Sequence, residues 1–457
     1  MPITSPTAQP DPSFILILVA PTADPADIDR RLQQFVQDGA GSLLFPLGDR
    51  WYVVGRAPGK ELRIVAGGTN TKLAEFVASQ PGIEEIRLEP PGELMRRYEE
   101  HEGKRMHKAP PPSGPPDHWN LDMVRARQAW AQFNGGWEKI PWGNIRIGHL
   151  DTGYTEHPAF GPWTNGRSPS LLPHMGSNFF DDTEGPRDWL ADGGTPGHGT
   201  RTCSVLCGFD PVEGFFGVAP RAPVVPYRVS NFIVLDTLWW QNAGLGDAVD
   251  HAVMNSGCSV LSMSMGDPCF PPKEFGRAID RAYDKGVIFV AAAGNITSEV
   301  TYPGRFTRAI GAGGITKTGE PWNGGSRGPA VDVSGPADLI YRGDMTLEDG
   351  NPKPIYGNKK DGSNANGTSY ATVHVSAAAA MWLAFHGKKL DVYRSPHPWR
   401  IVEAFRTVLK ASARKPPGWD DTQFGAGILD IEALLKADLP SPDSLVYETH
   451  RAEDETS

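Results

Sequence analysis

Four short stretches of the chain carry residue types that do chemistry. Asp151-Thr152-Gly153 follows at once on the apolar run Ile145–Leu150. A carboxylate at the carboxyl end of a parallel strand lies where open α/β sheets hold ligands. Gly197-His198-Gly199-Thr200 opens a helical stretch, Gly199–Leu206, with glycines leaving room on both sides of the imidazole. Asn366-Gly367-Thr368-Ser369 precedes the alanine-rich stretch Tyr370–Phe385, which places Ser369 at the start of a buried helix. Free backbone N–H groups and the positive dipole end favour negative charge there. That suits a nucleophile whose attack creates an oxyanion. Ala291-Ala292-Ala293-Gly294-Asn295 ends a small-residue strand with a side-chain amide able to donate to such an oxyanion. Each stretch alone has an ordinary reading: a strand closing into a glycine turn, a histidine near a helix start, a serine N-cap, a strand-to-turn signal. Together they supply an orienting carboxylate, a base, an oxyanion donor and a nucleophile, the parts of acyl transfer at serine.

Other chemistries fit less well. A second Asp-Thr-Gly or Asp-Ser-Gly, needed for two carboxylates sharing a proton, is absent. His101-Glu102 with His107 has the wrong spacing for a helical zinc motif, and no C-x-x-C pair exists. The order Asp…His…Ser is that of subtilisin, and from about Trp119 to Leu435 the chain resembles the subtilisin-like serine proteases. Gly217-Val218-Ala219-Pro220, Ser262-Met263-Ser264-Met265-Gly266, Tyr302-Pro303, Ser326-Arg327-Gly328-Pro329 and Gly425-Ala426-Gly427-Ile428-Leu429-Asp430 add to the likeness. The resemblance implies a mostly parallel sheet with helices on both faces and a serine endopeptidase that works through an acyl-enzyme. It implies Ser369 as nucleophile, His198 as base, Asp151 as its orienter, and Asn295 with the Ser369 N–H as oxyanion hole. Its substrate is then an extended polypeptide, with Tyr227 and Val229, within Tyr227–Asn231, along S2 to S4. Ser264, Met265 and Gly266 form one wall of S1, and Ala293, Gly294 and Asn295 the other. A histidine base must be neutral, so activity is expected to fall below about pH 6.5, the ordinary imidazole value. Two readings stay open beside the protease: a catalytically silent binding protein on the same fold, and a processing enzyme of narrow specificity.

The chain departs from the family at several places. Tyr370 stands where the family has Met after the serine, and Val373 where it has Pro. Ala159 follows His157-Pro158 where an aspartate usually ligates the strong calcium ion, and Pro211 occupies the loop Phe209–Phe216 where an Asn ligand is expected. Calcium wants six to eight oxygens, so that site is expected to be absent, and no metal or other cofactor is implied. Cys203 and Cys207, four apart on the histidine's helix, read as buried small apolar residues. Their rival reading is a thiol beside the histidine. A bridge between Cys258 and Cys269 is conceivable but not favoured.

These residues need a scaffold, and the chain is long enough for one. Its 457 residues suggest about three units. Strands Val224–Val229, Val260–Met265, Val287–Ala293 and Ala309–Gly313 alternate with helices Gly246–Asn255 and Glu274–Lys285, the pattern of β-α-β units. Residues 14–92 read as β-α-β-β-α-β, a small ferredoxin-like α+β domain. Its strands are Ser13–Ala20, Ser42–Phe45, Trp51–Arg56 and Ile83–Leu88, with Glu61–Ala66 a further candidate, and its helices Pro25–Asp38 and Asn70–Ser79. By position and topology it resembles the propeptide of the family, expected to bind the catalytic domain in cis as in a zymogen; an appended docking domain is the other reading. The remaining units are a disordered start (1–13), a Pro-rich linker (93–116), the catalytic domain (117–437) and an acidic tail (438–457) read as disordered. The net charge is −10 with no basic block, a poor match to nucleic acid or an anionic membrane. No apolar run approaches the roughly 18 residues of a membrane span. The start lacks the positive and long apolar segments of a secretion signal, and four cysteines in a chain of this size read as reduced thiols. A cytoplasmic location is therefore expected.

Overall fold

The computed structural model describes residues 15–20, 22–33, 44–46, 51–54, 77, 79–87 and 117–456, the last stretch with gaps at 182, 191–194, 236–243, 268–270, 296–298, 349 and 358–365. Near the start, strands β1 (Ile15–Val19), β2 (Leu44–Pro46), β3 (Trp51–Val54) and β4 (Ile83–Arg87) form an antiparallel sheet in the order β2-β3-β1-β4. The helix Pro25–Gln33 turns Ile28 and Leu32, one helical turn apart, into the interior with Ile17 and Val19. Val77 is helical and buried. The rest of the expected helix Asn70–Ser79 as far as 76, the candidate strand Glu61–Ala66, the start at 1–14 and the linker 93–116 lie outside the described residues.

From residue 117 the chain alternates strand and helix. In order come β5 (Ile147–Asp151), the two-residue strands β6 (Phe209–Asp210) and β7 (Phe215–Phe216), β8 (Val224–Arg228), β9 (Val260–Met263), β10 (Ile288–Ala292), β11 (Ile310–Ile315) and β12 (Val333–Pro336). A hairpin of β13 (Arg342–Glu348) and β14 (Asn351–Gly357) follows. Six of these make one parallel sheet, β12-β11-β10-β9-β5-β8. Side chains alternate across a strand, and here both faces are covered. Ile147, Val260, Ile288 and Val290 point into one apolar layer with the helix Thr368–His386. Leu150, Leu261, Met263, Phe289 and Ala291 point into the other, with the helices Gly244–Met254 and Lys273–Asp284. Eighteen of the residues of Thr368–His386 are buried, Ala377 to Ala380 among them; methyl side chains let its backbone lie close to the sheet. Among the described residues no helix is long and apolar enough to cross a membrane.

Three parts differ from the sequence reading. Strand β12 is four residues with a Gly and a Pro, too short for any periodicity to mark it. The hairpin β13–β14 is rich in polar residues and prolines that hide its alternation. The stretch 438–456 is packed onto the domain rather than disordered. The buried Arg308 guanidinium donates to the Glu448 carbonyl and the Tyr447 hydroxyl and pairs with Asp280 at 2.8 Å. The Asp280 carboxylate in turn accepts the Ala452 and Glu453 N–H groups at 2.9 and 3.1 Å, and Ala452 is buried. Leu439 and Leu445 also pack against one apolar layer and Ala452 lies in the other; these few apolar residues are scattered through a polar composition that conceals the docking.

Two buried histidines make the fold acid-sensitive. His157 Nδ1 accepts the Ala159 N–H and its Nε2 donates to the Ile355 carbonyl. His374 Nδ1 donates to the Tyr370 carbonyl and its Nε2 accepts from Asn120. Each ring is thus satisfied in its neutral form, and burial lowers both to about 4. The unfolded chain takes these protons near pH 6.5, the folded chain only near 4. The stability they contribute is therefore complete above pH 6.5 and is lost as pH falls toward 4, on the order of 3 kcal/mol per histidine. Thermal unfolding followed from pH 7 to pH 4 should show Tm falling across this window; His374→Gln should flatten the fall.

Candidate active site

The expected chemistry converges at the carboxyl end of β5. Asp151 closes that strand, fully buried. Strand β8 lies beside it with Arg228 opposite Asp151, and the helix His198–Cys207 begins next to it. Gly199 is what allows the approach: a Cβ there would stand 2.0 Å from the Gly153 carbonyl oxygen. His198 Nδ1 lies 2.7 Å from Asp151 Oδ1, and its Nε2 lies 3.3 Å from Ser369 Oγ. Because Nδ1–H donates to the carboxylate, Nε2 is left to accept from the serine. Ser369 has one proton and two acceptors within reach, since the Ser264 carbonyl oxygen is 3.2 Å away. Burial pushes the Asp151 carboxyl up, but the charge and hydrogen bond of His198, the neighbouring His149 and the Thr152 N–H together hold it below its ordinary value. The carboxylate stays ionised to oppose a positive imidazole.

The start of the helix Thr368–His386 joins this group to Asn295. The Asn295 side-chain oxygen accepts the Thr368 N–H at 2.9 Å and the Thr368 hydroxyl at 2.8 Å. With its oxygen fixed, the amide turns its NH2 the other way. A Cβ on Gly367 would sit 3.4 Å from Asn295 Nδ2 and 3.7 Å from the Ser369 nitrogen. Those are ordinary contact distances, so what favours glycine at 367 is its backbone, with φ 149°. Gly367→Ala should lower kcat at least as much as loss of one donor, about 10²-fold, and lower Tm as well; steady-state kinetics and a melt check both.

Among the expected substrate residues, Ser264 is buried and its hydroxyl donates to the Ser369 carbonyl at 2.9 Å. It braces the serine's backbone. Ala293 is buried and Gly294 and Gly266 are half-buried; the Gly294 N–H donates to the Thr368 hydroxyl at 3.1 Å. Three of these residues have buried side chains. Tyr227 is fully buried within β8, its hydroxyl on Ser256. Val229 is buried, with its N–H on the Asp151 carbonyl. Met265 faces the core beneath the sheet. Strand β8 is covered on both faces; beyond it the chain is half-buried at 231–233, and there Leu235 N–H donates to the Gly266 carbonyl and Gly266 N–H to the Ile233 carbonyl.

Several contributors escaped the sequence reading. Thr368 stood inside a quoted motif, but nothing local tells that its hydroxyl fixes Asn295. Asp188 accepts from the Thr152 hydroxyl at 2.6 Å and from the N–H groups of Gly197 and Leu190. It ties the residue after Asp151 to the residue before His198. The place where a calcium ion would sit holds other contacts. Ala159 offers no side-chain oxygen, His157 packs on Tyr356 of β14, and Asp210 accepts from the Tyr356 hydroxyl and the Val212 N–H. These residues do not supply a six- to eight-oxygen cage. Cys203, Cys207 and Cys258 are buried free thiols; burial raises Cys203 well above its ordinary value and Cys258 to about 12, which makes both poor nucleophiles. Cys269 lies outside the described residues.

Comparison with known proteins gives the family. The model of the subtilase family matches residues 143–427. Subtilisin DY of Bacillus licheniformis is 25% identical over 323 residues, covering 70% of this chain and 98% of its own. Mycosin-1 of Mycobacterium tuberculosis is 28% identical over 394 residues, covering 75% and 83%. The crystal structure of MycP1 from the ESX-1 type VII secretion system superposes with a TM-score of 0.54 at 23% identity, covering 76% of this chain and 92% of that one, a likeness of fold. The chain belongs to the subtilase family of serine endopeptidases.

Proposed function

We propose that this chain cleaves peptide bonds with Ser369 as nucleophile, His198 as general base and acid, Asp151 as orienter, and Asn295 with the Ser369 N–H as oxyanion hole. The observation that carries the reading is the continuous run from Asp151 through both ring nitrogens of His198 to Ser369 Oγ, at 2.7 and 3.3 Å. Ser369 Oγ attacks the scissile carbonyl carbon as its proton passes to His198 Nε2. The new imidazolium is opposed by the Asp151 carboxylate, and the oxyanion falls between the Asn295 and Ser369 donors. Collapse of that intermediate passes the His198 proton to the leaving amine. Water then repeats the sequence on the acyl-serine and frees the acid. The direct test is hydrolysis of a fluorescent protein substrate by the full chain: cleavage that a fluorophosphonate stops fits, and cleavage that survives it excludes a serine nucleophile.

A narrow range of substrates is favoured over general digestion. An extended peptide adds to a strand edge through main-chain hydrogen bonds. Both backbone groups of Gly266 are already paired with Ile233 and Leu235, so a substrate must displace or bypass that pairing. Digestion of a broad peptide library should yield few cleavage sites with a shared pattern; cleavage at many unrelated sequences excludes the narrow reading. The four-stranded N-terminal unit is proposed to act in cis as a propeptide, in which case its loss from the intact mass accompanies activity. The buried free thiols support a reducing compartment such as the cytoplasm.

A further inference from the structure

A second imidazole stands behind the Asp151 carboxylate. On β5, residues 147, 149 and 151 share the face turned toward the helix His198–Cys207, with Ile147 in the apolar layer there. His149 therefore sits one step inward from Asp151, with 1% of its surface exposed. A histidine at such a place costs desolvation unless it is paired, and the partner it finds is Thr202. Its Nε2 lies 3.1 Å from Thr202 Oγ1 and 3.7 Å from Asp151 Oδ2.

The Thr202 hydroxyl has four neighbours: His149 Nε2, Asp151 Oδ2 at 3.3 Å, the His198 carbonyl at 3.1 Å and the Gly199 carbonyl at 3.3 Å. Three of these are oxygen acceptors. His149 is the one neighbour able to donate, and the nearby carboxylate oxygen favours an N–H edge toward it over a lone pair. With Nε2–H donating to Thr202 Oγ1, the threonine proton is free for Asp151 Oδ2. Oδ1 is held by His198 and the Thr152 N–H. Both carboxylate oxygens are then fixed, one by the base and one by this second chain.

We propose that His149 and Thr202 extend the Asp151–His198–Ser369 array as positioning residues that hold the outer oxygen of Asp151 and so set how strongly it supports a positive His198. The proposal rests on the reading of Ser369 as nucleophile. Burial keeps His149 neutral, and the His198 charge adds to that effect while Asp151 opposes it; His149 thus contributes a dipole, not a charge. The charged groups acting on it are Asp151 on its own strand and His198 on the helix, with Thr202 of that helix as its hydrogen-bond partner. On either side, β8 and β9 present Pro226 and Ser262 at its register. Without the His149 dipole the outer oxygen carries more negative charge. A positive His198 is then better supported, while the carboxylate is less firmly held.

The test is the rate of fluorophosphonate labelling between pH 5 and 9, which needs no known substrate. Full-length wild type, His149→Phe, His149→Gln and Thr202→Val are compared, each with its Tm. For His149→Phe and Thr202→Val the acid limb should move up by about half a pH unit, and the limiting rate should fall roughly threefold to tenfold. His149→Gln, which restores an N–H donor, should return the limb toward wild type. Acid limbs that superimpose on wild type in both His149→Phe and Thr202→Val, whatever their Tm, overturn the proposal. If the phenyl variant does not fold, Thr202→Val and His149→Gln decide by the same readout. A wild type that takes no label at Ser369 overturns the reading of the site and this proposal with it.

Discussion

Ser369→Ala should abolish peptide hydrolysis, with kcat falling on the order of 10⁶-fold, while Tm stays close to wild type. The two halves of this result have different causes. In the proposed reaction the hydroxyl is the atom that bonds to the substrate carbonyl, so its removal leaves only the binding and oxyanion contributions. Yet in the resting protein it makes two long contacts, 3.2 Å to the Ser264 carbonyl and 3.3 Å to His198. The backbone of Ser369 is braced independently by the Ser264 hydroxyl, and that bond survives the change. A steady-state assay beside a thermal melt checks both halves. A variant that loses activity only by losing its fold would have a Tm many degrees lower.

Asn295→Ala should lower kcat by about 10²–10³-fold, or about 2.7–4 kcal/mol, with KM little changed. The donor acts on charge that develops only in the tetrahedral intermediate, so substrate binding hardly registers its loss. One complication is built into the site. The Asn295 oxygen also holds the Thr368 N–H and hydroxyl, so alanine loosens the start of the serine's helix as well. Asn295→Asp separates the effects. It keeps an oxygen for Thr368 but replaces the NH2 donor with a second oxygen that repels the oxyanion. Its kcat should fall at least as far as that of alanine while Tm holds. A kcat near wild type in Asn295→Asp would remove Asn295 from the oxyanion hole.

Much of this site was legible in the sequence because its reacting groups sit in short motifs whose glycines have local reasons. Gly199 makes room for Gly153, and Gly367 takes a φ of 149° that favours glycine. The alternation of strands and helices likewise gave the parallel sheet, because strands covered on both faces read as plain apolar runs. What stayed hidden depends on contacts across long stretches of chain. Tyr227 and Val229 belong to a strand that stays inside before its chain emerges near Ile233, and apolar residues give no sign of where that happens. Asp188 reaches Thr152 across 36 residues and Thr202 reaches His149 across 53; polar pairs so far apart leave no periodic trace. The tail was misread because its anchor is the buried Arg308–Asp280 pair, far from it in sequence.

Ser369 is proposed to be a nucleophile activated by His198 and Asp151. Intact-mass analysis of the full-length chain after treatment with a fluorophosphonate, beside Ser369→Ala treated alike, tests it most directly. One adduct should form on wild type and none on the variant. An adduct on both, or one that peptide mapping places on another residue, would contradict it.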